Sequence, residues 1–355
     1  MGKIVLNSAN VTNAAKGLRE IVVPATSKAA DKLANGYRID PPGMGVALSV
    51  IEAQYNATLD YHVQNLQVAV ESIEAVANGL DITVRNYLTA DEVNVNMMTV
   101  PGLYEGTRDG QSYGGGFGDT GLARTFTSPL GGDGLQWNDV DTIIGLGAQI
   151  AALGTAGYTA YMSPTYLPTP IVAALIVANG PSMVTVGRRL ADIATTLETE
   201  VNKQFDSIAT SATGGWEDAS VVEYRKVITE MNRELAQMQK AVAAASTLVL
   251  AVTALLGAFW LAFISFTGPF FAQISALFSM QFGPQAAVVQ PIIQLLGALA
   301  SAAWLKATGT VVSVLAAAGT LILGVIKEFG AFQRFDEQGD HTPDLKQIQI
   351  SWSTA

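Results

Sequence analysis

The chain has 355 residues, 49% of them hydrophobic and only 14% charged, with a net charge of −10. An isoelectric point near 4.7 leaves no basic surface to neutralise phosphates, which argues against a nucleic-acid partner. There is no cysteine and there are only two histidines, His62 and His341, both expected at the surface, so disulfides, thiolate chemistry and a zinc or other imidazole site are excluded.

The N-terminus, MGKIVLNSANVTNAAKG, lacks an apolar core of the length a secretory signal peptide needs, so export would use another route. Residues 8–36 carry apolar side chains at helical spacing, including Val11, Leu18, Val22, Ala29 and Leu33. Pro24 should kink or restart that helix, and Asn35-Gly36 supplies a left-handed cap. After the Pro-Pro-Gly turn of residues 41–43, Leu59, Val63, Leu66, Val70, Ile73, Ala77, Leu80, Val84 and Tyr87 hold a four-three spacing over four heptads. Such a seam folds back on the first helix as an antiparallel hairpin.

From about Val93 to Trp137 the periodicity dissolves into a Gly-rich stretch that reads as a linker. Its Gly114-Gly115-Gly116-Phe117-Gly118 run is not a phosphate loop, since no lysine follows at the right spacing and no strand precedes it. Residues 142–187 are then free of charge, and their two halves, 143–160 and 171–178, are expected as buried bundle helices. A second hairpin follows: Val186, Leu190, Ile193, Leu197, Val201 and Phe205 stripe one helix, the turn spans Ser211 to Asp218 around Trp216, and the return helix carries Val221, Tyr224, Ile228, Met231, Leu235, Met238 and Val242.

That return helix runs directly into Ala241–Leu305, 65 residues without a charge, and past Lys306 into an uncharged 307–326. About 20 apolar residues cross the roughly 30 Å hydrocarbon core of a bilayer. Gly268-Pro269 is expected to end the first membrane-capable helix, 241–267, and Gly283-Pro284 the short segment after it. Residues 307–326 make a second, and 285–305, long enough to cross but weakened by Gln290, Pro291 and Gln294 in its first half, a possible third. Leu250, Leu256, Trp260, Phe263, Trp304 and Leu321 are the expected insertion residues. A fully buried helix has the same all-round apolar pattern, so a protein core is the competing reading. The last residues, 345–352, alternate like a short strand.

The fold class expected is all-α: an elongated bundle of two helical hairpins followed by an apolar, membrane-capable helical region. The domains are 1–95, first hairpin; 96–137, linker; 138–240, second hairpin region; 241–328, hydrophobic region; and 329–355, polar tail. No nucleophile lies near a histidine and no metal cluster or nucleotide loop is present, so the chain is read as non-enzymatic and without a cofactor.

Near the end of the second helix, Tyr87 and Asp91 stand four apart, on one helical face. A hairpin of this length ending in Y-x-x-x-D resembles actinobacterial substrates of type VII (ESX) secretion. The second hairpin, with Trp216 in its turn, is similar to the WXG and PPE-like members, although Glu217-Asp218 replaces the glycine that usually follows. Layout and these two motifs, over roughly residues 8–245, resemble the fused PE/PPE-type arrangement of EspB-like substrates. The apolar remainder is closer in character to the EspA/EspE type.

The resemblance implies that both hairpins pack as one bundle. Tyr87, Asp91 and Trp216 would then form a composite signal for the secretion ATPase, and a chaperone is a further possible partner. The expectation is a secreted, envelope-associated protein that associates with or inserts into a lipid membrane as a homo-oligomeric channel or scaffold. The alternatives are a pore-forming effector and a soluble oligomeric bundle whose apolar run is its core.

Overall fold

The computed structural model describes residues 6–46, 49–89, 145–217, 219–282 and 286–333, with the side chains of the last helix described to about residue 310. It is all-α. The linker, Asp91, His341 and the polar tail beyond residue 333 lie outside the described residues.

The first hairpin pairs α1 (Ser8–Gly17) and α2 (Val23–Ala34) with α3 (Ser49–Thr89). Between α1 and α2 the helix neither stops nor restarts at Pro24. A π turn, Leu18–Val22, carries the chain through, with the Val23 N–H donating to the Leu18 carbonyl. Pro24 follows directly, so its missing N–H falls where the helical hydrogen-bond ladder is already shifted by the π turn. The seam of α3 is realised, with Leu59, Leu66, Ile73, Ala77 and Leu80 all buried. Arg19 fixes the register across the hairpin, donating to Asn78 Oδ1 at 2.8 Å and pairing with Asp81 at 2.6 Å.

The second hairpin runs up α6 (Gly180–Thr196), a π turn (Leu197–Asn202) and α7 (Lys203–Ser211), then returns along α8 (Ala219–Met280). Val221, Tyr224, Ile228, Met231, Leu235, Met238 and Val242 of α8 are buried as their spacing predicts. The two π turns, one in each hairpin, lie against each other, and α1 packs on α7. The two hairpins therefore share one core. The first hairpin is also tied to the start of α6, because the Asn179 N–H donates to the Gly43 carbonyl at 2.8 Å. Next to this tie Gly45 has φ +91°, and a Cβ there would lie 2.5 Å from the Val177 carbonyl oxygen, so the close approach requires glycine.

The break expected at Gly268-Pro269 does not occur, and the segments 285–305 and 307–326, expected separately, form one helix. Helix α8 continues through Gly268-Pro269 for 62 residues in all, and α9 (Ala286–Gln333) runs 48 residues through Pro291 and past Lys306. Proline clashes with the Cβ of the residue before it, and Gly268 has none, so residue 268 can stay helical. Only the Ser265 carbonyl then loses its helical donor, and Ser265 is exposed. The membrane-capable helices by length and composition are thus two among the described residues, Ser220–Met280 and Ala286–Thr310. Helix α8 is followed by a turn at 281–282, and the break expected at Gly283-Pro284 lies outside the described residues.

Candidate functional site

Beyond the level where the hairpins end, α8 and α9 are joined by α4 (Leu146–Met162), a 3₁₀ turn (Pro164–Tyr166) and α5 (Pro168–Ala174). Together they form a distal lobe. Residues 146–174, grouped with the second hairpin on sequence, belong by their packing to this lobe. It contains no charged side chain from Gly145 to Asn179 or from Ala258 to Leu305.

The lobe has an aromatic floor. The Trp304 ring lies 5.9, 5.1 and 5.6 Å from those of Phe259, Phe263 and Phe266, so α9 at Trp304 is level with α8 near Phe263. Trp260 donates through Nε1 to the Ile176 carbonyl at 3.3 Å, anchoring the segment that leads from α5 into α6. From Trp260 to Met280 is about 30 Å of helix, and from Ala286 to Lys306 again about 30 Å.

Several polar groups inside the lobe are satisfied by one another; the hydroxyl of the fully buried Tyr166 is not among them. Gln149 is buried, and its side-chain amide both donates to the Ala178 carbonyl and accepts from the Ala178 N–H. Ser163 Oγ donates to the Ile293 carbonyl at 2.9 Å, Thr165 Oγ1 to the Gln294 carbonyl at 2.7 Å, and Thr169 Oγ1 meets Ser301 Oγ at 3.1 Å. These bonds clamp the α4–α5 turn onto α9. They require Gly297: a Cβ there would sit 2.1 Å from Ser163 Oγ.

The outside of the lobe is apolar. Of the 16 large hydrophobic side chains exposed among the described residues, 13 belong to it. They include Ile150, Tyr158 and Tyr161 of α4, Ile171 of α5, Phe282 at the tip, and Val288, Ile292, Leu295 and Leu299 along α9. An apolar surface concentrated in this way marks an interaction site rather than ordinary exposed residues.

Of the insertion residues named from the sequence, Leu256, Trp260 and Phe263 are fully buried in the protein. Leu250 is half-buried, and a Cβ on Gly187 would lie 2.6 Å from it. Trp304 is partly buried on the aromatic floor, and the Leu321 side chain lies outside the described residues. The outward residues of α4 and α5 were missed because the 142–187 stretch is short-segmented and rich in Gly and Ala, which reads as packing helix. The available signal was its lack of charge.

A second grouping lies at the opposite end. Trp216 is buried against Tyr224, with ring centroids 5.3 Å apart, and Tyr224 Oη donates to the Ala209 carbonyl at 3.1 Å. The start of α1 is pinned to this turn by the Asn7 N–H donating to the Gly215 carbonyl and Asn10 Nδ2 to the Gly214 carbonyl. Arg19 meets Asp81 on α3, so Tyr87, about 9 Å of helix further on, comes to the same end of the bundle as Trp216. Tyr87 is half-buried. Two of the three residues named for export are therefore brought to one end.

His62 departs from the surface position expected of it. It is 1% exposed, and desolvation lowers its pKa from 6.5 to about 4. The unfolded chain then takes up a proton that the folded protein refuses. Stability from this source is full above pH 6.5 and is lost as pH falls towards 4, by about 2 kcal/mol at pH 5. Urea unfolding at pH 7.5 and 5 checks this; His62→Gln should remove the corresponding part of the slope.

Compared with protein-family models, curated proteins and solved structures, the chain matches none of them.

Proposed function

We propose that this protein is exported through a type VII secretion route and associates with a membrane through its distal lobe. The observation that carries the membrane reading is the uncharged lobe with its large apolar side chains turned outward. Two helices with the length and composition to cross a bilayer support it. The export reading rests on the resemblance of the two hairpins to type VII substrates, and the approach of Tyr87 and Trp216 to one end is consistent with it.

Flotation with phosphatidylcholine vesicles tests the first half, neutral lipid being chosen because the chain carries −10. The wild type floats. A charge at the centre of the hydrocarbon costs about 3 kcal/mol, so Leu295→Lys loses about a hundredfold in partitioning, and Val222→Lys, on the charged bundle, loses nothing measurable. Failure of the wild-type protein to float removes the membrane reading. For export, Tyr87→Ala and Trp216→Ala should leave the protein inside a type VII-competent actinobacterial host, with Trp216→Phe exported. Undiminished secretion of both alanine variants counts against the signal.

A second reading has its own observation. Leu256, Trp260, Phe263, Ile274 and Ile293 are buried, and 44% of the most apolar window of α8 is covered by protein, as in a soluble bundle core. Under this reading full-length protein stays in solution with lipid present.

A further inference from the structure

We propose, resting on the membrane reading above, that the lobe crosses the bilayer as a folded unit, tip first, and stops at its aromatic floor, so that the charged bundle stands upright on the membrane. Three features of the lobe are stacked along its axis in the order that a bilayer is. At the floor are the partly buried Trp304 and the exposed Lys306, the first charge on α9, and aromatic and lysine side chains are the residues that seat at a headgroup layer.

Above the floor comes a belt about 30 Å deep, the thickness of the hydrocarbon core, presenting Ile150, Ile171, Leu295 and Leu299 outward. At the far end, within about 15 Å of the α8–α9 turn, are Gln273, Gln281 and Gln290. Were the lobe to enter one leaflet only, those three amides would lie near the bilayer centre, unsolvated. A full crossing carries them to the far headgroups.

Entry without unfolding follows from the interior. The amide of Gln149 and the hydroxyls of Ser163, Thr165, Thr169 and Ser301 already have partners within the lobe, so moving it out of water leaves none of these groups unsatisfied. No charge has to cross, since the first lysine of α9 lies at the floor. The opposite end of the bundle, with Trp216, is left in water.

The absence of cysteine makes the test clean. Phe282→Cys at the tip, Leu295→Cys in the belt and Val222→Cys on the bundle all replace exposed side chains. Each is bound to phosphatidylcholine vesicles, with an impermeant maleimide either outside or trapped in the lumen.

The expected pattern is reaction of Phe282→Cys from the lumen alone, reaction of Val222→Cys from outside alone, and at least tenfold slower reaction of Leu295→Cys from both sides. A Thr169→Cys/Ser301→Cys pair, whose native oxygens are 3.1 Å apart, locks α5 to α9 once oxidised. The locked protein should float as the wild type does. If bound protein reacts at Phe282→Cys from outside, the crossing is overturned while membrane association stands. If the locked pair fails to float while its reduced form floats, entry as a folded unit is overturned. If the wild type does not float at all, the membrane reading itself falls, and this proposal with it.

Discussion

Replacement of Trp260 by alanine is expected to lower stability by about 4 kcal/mol, the middle of the range for removing a buried aromatic. The indole is fully buried, meets Phe259 and Phe263 edge to face at 5.5 Å each, and donates to the Ile176 carbonyl. Its loss opens a cavity on the lobe floor and strips the Ile176 carbonyl of that donor. Trp260→Phe keeps most of the volume and should cost about half as much. Thermal unfolding read by circular dichroism checks both. A loss below about 1 kcal/mol in Trp260→Ala would mean that the floor is not packed as described.

Gly297→Val is expected to cost about 3 kcal/mol by overpacking, because its side chain would occupy the place of Ser163 Oγ and Thr165 Oγ1 and break their bonds to the Ile293 and Gln294 carbonyls. The α4–α5 turn would be pushed off α9. Gly157 provides the contrast: it lies mid-helix in α4 with nothing within 4 Å of a Cβ, so Gly157→Ala should gain about 1 kcal/mol from helix propensity alone. Opposite signs for two glycine substitutions in one lobe would locate the clamp at Gly297. Equal effects would refute it.

The periodic parts of the fold were legible without coordinates. The four-three seam from Leu59 to Val84 and the stripe from Val221 to Val242 each predict an amphipathic helix in a hairpin, since every third and fourth side chain shares a face. Both are seen. The punctuation was less legible. Pro24 reads as a kink or restart and Gly268-Pro269 as a break, yet the first is absorbed by a π turn and the second follows a glycine that has no Cβ to clash.

In the candidate site the difference is sharper. The lobe is built from the uncharged stretches at 142–187 and 241–305, but a helix apolar on every face carries no sign of which side turns inward. Trp260 and Phe263 have the composition of lipid-facing residues and are core; Tyr158, Leu295 and Leu299 have the same composition and face outward. His62 shows the converse, a polar residue on α3 that is buried.

By itself, then, the sequence determined an all-α chain with two amphipathic hairpins, a charged half and an uncharged half, because periodicity and charge are properties of local residue order. Only the tertiary structure decided that residues 146–174 and the α8–α9 hairpin close into one lobe, which of its apolar side chains stay outside, and that Tyr87 lies at the same end of the bundle as Trp216. Those outcomes depend on contacts such as Ser163 with Ile293 and Asn7 with Gly215, between residues 130 and 208 positions apart, and no local pattern encodes contacts at that distance.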